Sequence, residues 1–162
     1  MGSTVRVDVG MRNISRNLSP LRQKGAAAIE FALVFVIFFA VFYGVVTYSL
    51  PLLMMQSFNA AASEAVRQSV AIKPGVDGYN NLVISQSKAA VASQLTWIPS
   101  SFGFNAATHA SVTFNGKLLK VSINYPSTNL TSVMPILKLP IIGNVPNLPT
   151  NLSAEASLQL AP

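Results

Sequence analysis

No charged side chain occurs between Phe31 and Ser63, and an uncharged run of that length has few folded destinations. Its first half, Phe31-Ala-Leu-Val-Phe-Val-Ile-Phe-Phe-Ala-Val-Phe-Tyr-Gly-Val-Val46, is almost wholly apolar. A hydrocarbon layer about 30 Å thick takes about 20 helical residues at about 1.5 Å of rise each, and Ala26 to about Tyr48 supplies them. A helix apolar on every side would otherwise need protein around it. Nothing else in the 162 residues is large enough to cover it, so a transmembrane helix is predicted over residues 26–50.

The charges give this helix a direction. Arg6, Arg12, Arg16, Arg22 and Lys24 precede it against one acid, Asp8, so the first 25 residues carry +4 of the chain's formal +6. A net positive charge alone would suggest nucleic acid, but here it is a flank of the apolar run. Flanking cations stay on the cytoplasmic side, so the reading is a cytoplasmic leader at 1–25, no nucleic-acid partner and the remainder of the chain beyond the membrane. Tyr43 and Tyr48 fall near the far interface, where amphipathic rings are favoured. Pro51 lacks an N–H and clashes with the preceding turn, so a kink or a helix end is expected there.

A secretory signal peptide is a poorer description. Ala60-Ala61-Ala62 offers a small-residue site, but the apolar region is longer than a usual signal core of about 7–15 residues. It also carries Glu30 near its start. An acid at that position is unusual, because a carboxylate costs about 2.5–3.5 kcal/mol at the centre of a spanning helix and less near an end. Read alone, it is equally an interfacial acid favoured by the helix N-terminal dipole.

The surrounding string, Lys24-Gly25-Ala26-Ala27-Ala28-Ile29-Glu30-Phe31, resembles a type IV prepilin processing site. The resemblance implies that a membrane aspartyl prepilin peptidase cuts between Gly25 and Ala26, which makes Glu30 the fifth residue of the mature chain. Glycine suits a protease cleft because it adopts extended and left-handed backbone, and it is expected to end any helix continuing from the leader. The new amine on Ala26 would lie one helical turn from Glu30, a spacing that brings unlike charges together. Between packed anchors the same pair could set subunit register, because a buried ion pair is costly to break.

Beyond Pro51, Leu52 to Val70 contains good helix formers, and Phe58, Ala62, Ala65 and Ser69 recur at spacings of three and four. Such a stripe is either a plain amphipathic stalk or a face that another helix approaches closely. Taken with Gly25-xxxx-Glu30-Phe31 and the long anchor, the segment Asn59-Ala-Ala-Ala-Ser-Glu64-Ala-Val-Arg67 looks like the TadE family, the minor pilins or pseudopilins of tight-adherence pilus systems. The resemblance covers roughly Arg22 to Val70. It implies a bacterial inner-membrane protein with a cytoplasmic N-terminus and an extracytoplasmic C-terminal domain, located in or at the base of a pilus. Its implied partners are the membrane, the prepilin peptidase, and other pilins and pilus assembly subunits, in a Flp-type pilus used for adhesion or secretion.

The rest of the chain reads as a small α+β domain. Lys73-Pro-Gly-Val-Asp-Gly78 breaks the first helix, and a second is expected from Tyr79 to Leu95 with Leu82, Val83, Ala89, Ala90 and Ala92 on its buried face. Ala110 to Tyr125 alternates apolar and polar residues around Asn115-Gly116, which predicts a hairpin on a tight two-residue turn with both central residues at positive φ. Leu152 to Leu160 alternates in the same way and makes a third strand. Pro126 to Thr150 holds five of the ten prolines and one charge, so no regular element is expected. Its apolar core, Val133 to Ile142, has three competing destinations: the membrane surface near the anchor, a partner's groove, or the domain's own sheet.

Chemistry is sparse after the anchor. One histidine, His109, three acids in Glu64, Asp77 and Glu155, and no cysteine leave no metal-ligand set, phosphate loop or activated nucleophile at a recognisable spacing. No cofactor is expected and the chain is not read as an enzyme; a hydrolase built on Ser, His109 and Asp77 is the catalytic rival. Asn129-Leu-Thr131 and Asn151-Leu-Ser153 match glycosylation acceptors, a pattern common by chance. The expected organisation is a basic leader at 1–25, a transmembrane helix at 26–50, a helical extension at 51–72, and an extracytoplasmic α+β domain at 73–162 with one helix and an antiparallel three-stranded sheet. A single-pass envelope scaffold or binding module without prepilin processing is the alternative.

Overall fold

The computed structural model of the chain describes residues 2–4, 21–139 and 143–160. The leader expectation for residues 5–20 therefore lies outside the described residues. The chain forms two compact units, Met1–Phe39 and Ala40–Pro162, and helix α1, Leu21–Ser69, contributes to both.

α1 begins before Gly25 and passes through it, contrary to the expected break. A single glycine costs a helix only about 1 kcal/mol relative to alanine, and Ala26-Ala27-Ala28 follow it directly with the best helix formers. Pro51 does not end the helix either. The reason is tertiary: Pro51 is itself buried, flanked by buried Thr47 and Met54, so packing within the unit Ala40–Pro162 holds both sides of the missing hydrogen bond. The Thr47 hydroxyl donates back to the carbonyls of Tyr43 and Gly44 at 2.9 and 3.1 Å. That is how hydroxyl side chains bond within a helix that has little water around it.

From Thr47 onward α1 has one buried stripe, Thr47, Pro51, Met54, Phe58, Ala61, Ala62, Ala65, Val66 and Ser69, at the spacing of three and four that faces a core. Turns at Gly75 and Gly78, both with positive φ, lead into α2, Tyr79–Gln94. Its buried face is Val83, Ser87, Ala90 and Val91, whereas Leu82 is exposed, as are Ala89 and Ala92. The expected face was displaced because Ser87 belongs to the core: its Oγ lies 2.7 Å from Ser69 Oγ, where two small side chains let α1 and α2 approach.

A short α3, Ala106–His109, leads into β1, Ala110–Phe114, and β2, Leu118–Pro126. Asn105 caps α3 by accepting a hydrogen bond from the Ala107 amide at 2.8 Å. β5, Asn151–Gln159, pairs with the other edge of β2, so the antiparallel sheet has the order β1-β2-β5. The register Val112↔Val121↔Ala156 and Ala110↔Ile123↔Ala154 puts the alternating apolar residues on one face, with buried Leu119, Tyr125 and Leu152 beside them. The other face is polar, with Ser111–Ser122 and Asn124–Ser153 hydrogen bonds and a Lys120–Glu155 ion pair at 2.9 Å. The fold class is the expected one, a long apolar helix followed by a helix and a three-stranded antiparallel sheet.

Two local expectations are corrected. The β1–β2 connection is longer than a two-residue turn, since Phe114 pairs with Leu119. Gly116 takes positive φ and Asn115 does not; instead the Asn115 carboxamide oxygen accepts from the amides of Lys117 and Leu118. Asparagine thus acts through its side chain, an Asx-type turn. The Pro126–Thr150 segment contains regular structure: α4, Ser127–Val133, then β3, Leu137–Leu139, paired with β4, Gly143–Val145. Pro126, Pro135 and Pro146 stand at the ends of these elements, where a missing N–H removes no ladder bond.

Candidate functional site

The segment predicted to be processed lies in the unit Met1–Phe39, in the first turns of α1. Gly25, Ala26, Glu30 and Phe31 are all helical and exposed; the backbone of Lys24 is helical too, and its side chain lies outside the described residues. A side chain added at Gly25 would meet nothing within 4 Å, so packing does not require glycine there. Glycine is a poorer helix former than the three alanines that follow it.

Ala26 and Glu30 are four residues apart on this helix, so their positions lie one above the other on its surface. The ion pairs among the described residues are Glu64–Arg67 and Lys120–Glu155, and neither involves Glu30. From Phe31 a ridge of stacked rings runs up one side, with centroids 6.0 Å apart for Phe31–Phe35 and 6.2 Å for Phe35–Phe39. The helix is long and apolar enough to cross a membrane, and its most hydropathic window is wholly unburied.

The remainder of the unit Ala40–Pro162 engages α1 at the end of the exposed apolar stretch. The Tyr43 hydroxyl donates to the Pro135 carbonyl at 2.5 Å, and the Tyr48 hydroxyl accepts from the Asn147 amide at 2.8 Å. Sequence reading placed these tyrosines by composition, but their partners lie 92 and 99 residues away. The proline-rich segment thus meets α1 at Pro135 and Asn147.

Higher on α1, Glu64 and Arg67 form a two-point pair, Nη2–Oε1 at 2.6 Å and Nε–Oε2 at 2.7 Å, and Gln68 donates to the same carboxylate. These hydrogen bonds, Arg67 first, lower the Glu64 pKa from 4.5 to about 2. His109 belongs to an aromatic cluster with Phe58, Phe104 and Tyr125. Its Nδ1 accepts from the Asn105 amide at 3.0 Å. Tyr125 donates its hydroxyl to the Phe102 carbonyl, and burial raises its pKa. His109 thus makes packing and capping contacts, and no group of three or more metal-ligating side chains occurs among the described residues.

Residues 25–67 match a protein-family model described as TadE-like protein. The matched stretch begins at Gly25, includes Glu30 and ends at Arg67, so the similarity expected over Arg22–Val70 is borne out within it. No curated protein and no solved structure matches the chain.

Proposed function

We propose that this chain is a TadE-like minor pilin or pseudopilin, anchored in the bacterial inner membrane with its N-terminus cytoplasmic and its α+β head outside. It acts by assembly rather than catalysis, in the biogenesis of a tight-adherence, Flp-type pilus used for adhesion or secretion. The observation that carries this reading is the coincidence, within the family-matched stretch, of Gly25 and Glu30 with a helix exposed and apolar on every side.

Prepilin peptidase unwinds α1 at Gly25 and cuts between Gly25 and Ala26. The freed ammonium on Ala26 then neutralises Glu30 across one turn, or pairs with Glu30 of an adjacent anchor. In the second case the pair matches the depth of neighbouring subunits, since a charge left unpaired in the hydrocarbon costs kcal/mol. The Phe31–Phe35–Phe39 ridge supplies the shape that packs between anchors, where van der Waals contact drives association.

Sequencing the N-terminus of the mature protein from its native host tests the cut. A chain beginning at Ala26 supports the reading; one beginning at Met1 or beyond Ala60 refutes it and favours a scaffold or binding module. Gly25→Val blocks maturation, and Glu30→Ala leaves insertion intact but reduces crosslinking to partner subunits. Unchanged crosslinking removes the register role.

A further inference from the structure

We infer that the paired strands β3 and β4 are a second membrane contact, lying in the headgroup layer of the same bilayer that holds α1. This inference rests on the reading of α1 as a membrane anchor. The two hydrogen bonds that flank the pair go to Tyr43 and Tyr48, and those residues bracket exposed Val45 and Val46, with Leu52 and Leu53 also exposed on α1 beyond them. Tyrosines at that depth ordinarily direct their hydroxyls to headgroups and water. Here both hydroxyls are occupied by backbone, the Pro135 carbonyl and the Asn147 amide, and these take the place of headgroups against the helix.

The segment is suited to such a layer. Its single charge in the stretch from Pro126 to Thr150 is Lys138, which is exposed and on a stem long enough to reach phosphate oxygens while its neighbours sit deeper. Val133 and Leu137 expose 44% and 38% of their surfaces, an arrangement that water penalises and an interface does not. β3 and β4 pair across Leu137↔Val145, Lys138↔Asn144 and Leu139↔Gly143, and the backbone groups on their outer edges find partners in the water and polar groups of a headgroup layer, which the hydrocarbon below would not supply; the prolines at 135 and 146 bring no donor. Leu137 follows Pro135 by two residues, at most about 7 Å of extended chain, so it stays within a turn or two of Tyr43 in depth.

The test uses the full chain in vesicles of phosphatidylcholine and phosphatidylglycerol, with bromine atoms placed shallow on the acyl chains as a tryptophan quencher. Trp97→Phe removes the native fluorophore, and single tryptophans are then introduced as Leu137→Trp, Val133→Trp, Phe42→Trp and Val70→Trp. Val133 and Leu137 are both exposed, so neither substitution disturbs the core, and two reporters guard against one misfolding. Phe42→Trp is quenched if α1 is inserted, and Val70→Trp, beyond the buried stripe of α1, keeps its emission. The inference expects Leu137→Trp or Val133→Trp to lose at least half as much emission as Phe42→Trp. Quenching of Phe42→Trp with Leu137→Trp and Val133→Trp both matching Val70→Trp overturns it, whether water or a second copy covers the paired strands. If Phe42→Trp is itself unquenched, the anchor reading fails.

Discussion

Truncating Phe58 separates two accounts of what stabilises the head. Phe58 is a residue of α1 with no exposed surface, and its ring lies 5.4 Å from that of Phe104 and 6.0 Å from that of Tyr125. Reducing a buried phenylalanine to alanine costs about 3–5 kcal/mol in transfer and cavity terms, a large share of the roughly 5–15 kcal/mol that holds a domain folded. For a unit the size of residues 40–162, that lowers the melting temperature by about 10–25 °C. Phe58→Leu keeps most of the apolar volume but loses two ring contacts worth about 0.5–1.5 kcal/mol each, so it falls between. Phe35→Ala removes an exposed ring and shifts the midpoint by only a few degrees. The assay is near-ultraviolet circular dichroism of the full chain in detergent micelles, because α1 remains helical in a micelle after the head has lost its packing. Equal midpoints for Phe58→Ala and Phe35→Ala would refute the reasoning, leaving the sheet and α2 stable without the upper half of α1.

At the α1–α2 contact, Ser69 Oγ and Ser87 Oγ sit 2.7 Å apart, and each also lies 2.8 Å from a carbonyl one turn back. Two hydroxyl hydrogens cannot serve three such contacts, so one serine donates to its carbonyl and the other to its partner serine. Ser69→Ala and Ser87→Ala should each cost about 0.5–1.5 kcal/mol and the pair together less than the sum; an additive double-mutant cycle contradicts this. In the β1–β2 turn, where Gly116 has φ of +85°, Gly116→Ala should destabilise by about 1 kcal/mol in urea unfolding, and an unchanged midpoint would rule out the strain. Glu64 is held ionised down to pH about 2 by Arg67 and Gln68. Its stabilising contribution is complete above about pH 4.5 and disappears as pH falls toward 2. Glu64→Gln should therefore flatten the acid limb between those values, by an amount that shrinks in high salt because the pair is solvent-accessible; an identical limb in low salt would show that the pair does not couple to folding.

How legible each element was in the sequence follows from what stabilises it. The sheet was read with the correct strands because its inner face is filled by every second residue of β2 and β5. A period of two survives any uncertainty about neighbours. Periodicity of apolar residues misassigns the face of α2 because its contact with α1 is made by small side chains: buried Ser87 meets Ser69, 18 residues earlier, while the larger Leu82 is exposed. Hydrophobicity alone ranks those two in the wrong order. The proline-rich segment was read as irregular because prolines were counted rather than placed. Once they stand at element ends, the intervening residues are free to form α4 and the β3–β4 pair.

The candidate site divides along the same line. The region around Gly25 and Glu30 was legible because it is local: an acid in an apolar run, four residues after a small residue that follows glycine, stands out without any tertiary information. The Tyr43–Pro135 and Tyr48–Asn147 contacts were not, since a backbone carbonyl or amide leaves no trace in side-chain identity. Nor does the sequence mark the junction by a change of period, because Leu50-Pro51-Leu52-Leu53-Met54-Met55 is apolar without a break. The change lies in burial: up to Val46 the apolar residues of α1 are largely exposed, and from Thr47 the buried ones recur at three and four while Leu52 and Leu53 stay exposed. A one-sided core leaves that stripe on a helix whose composition alone is still uniformly apolar, and the stripe begins between the two tyrosines whose hydroxyls bond the backbone at Pro135 and Asn147.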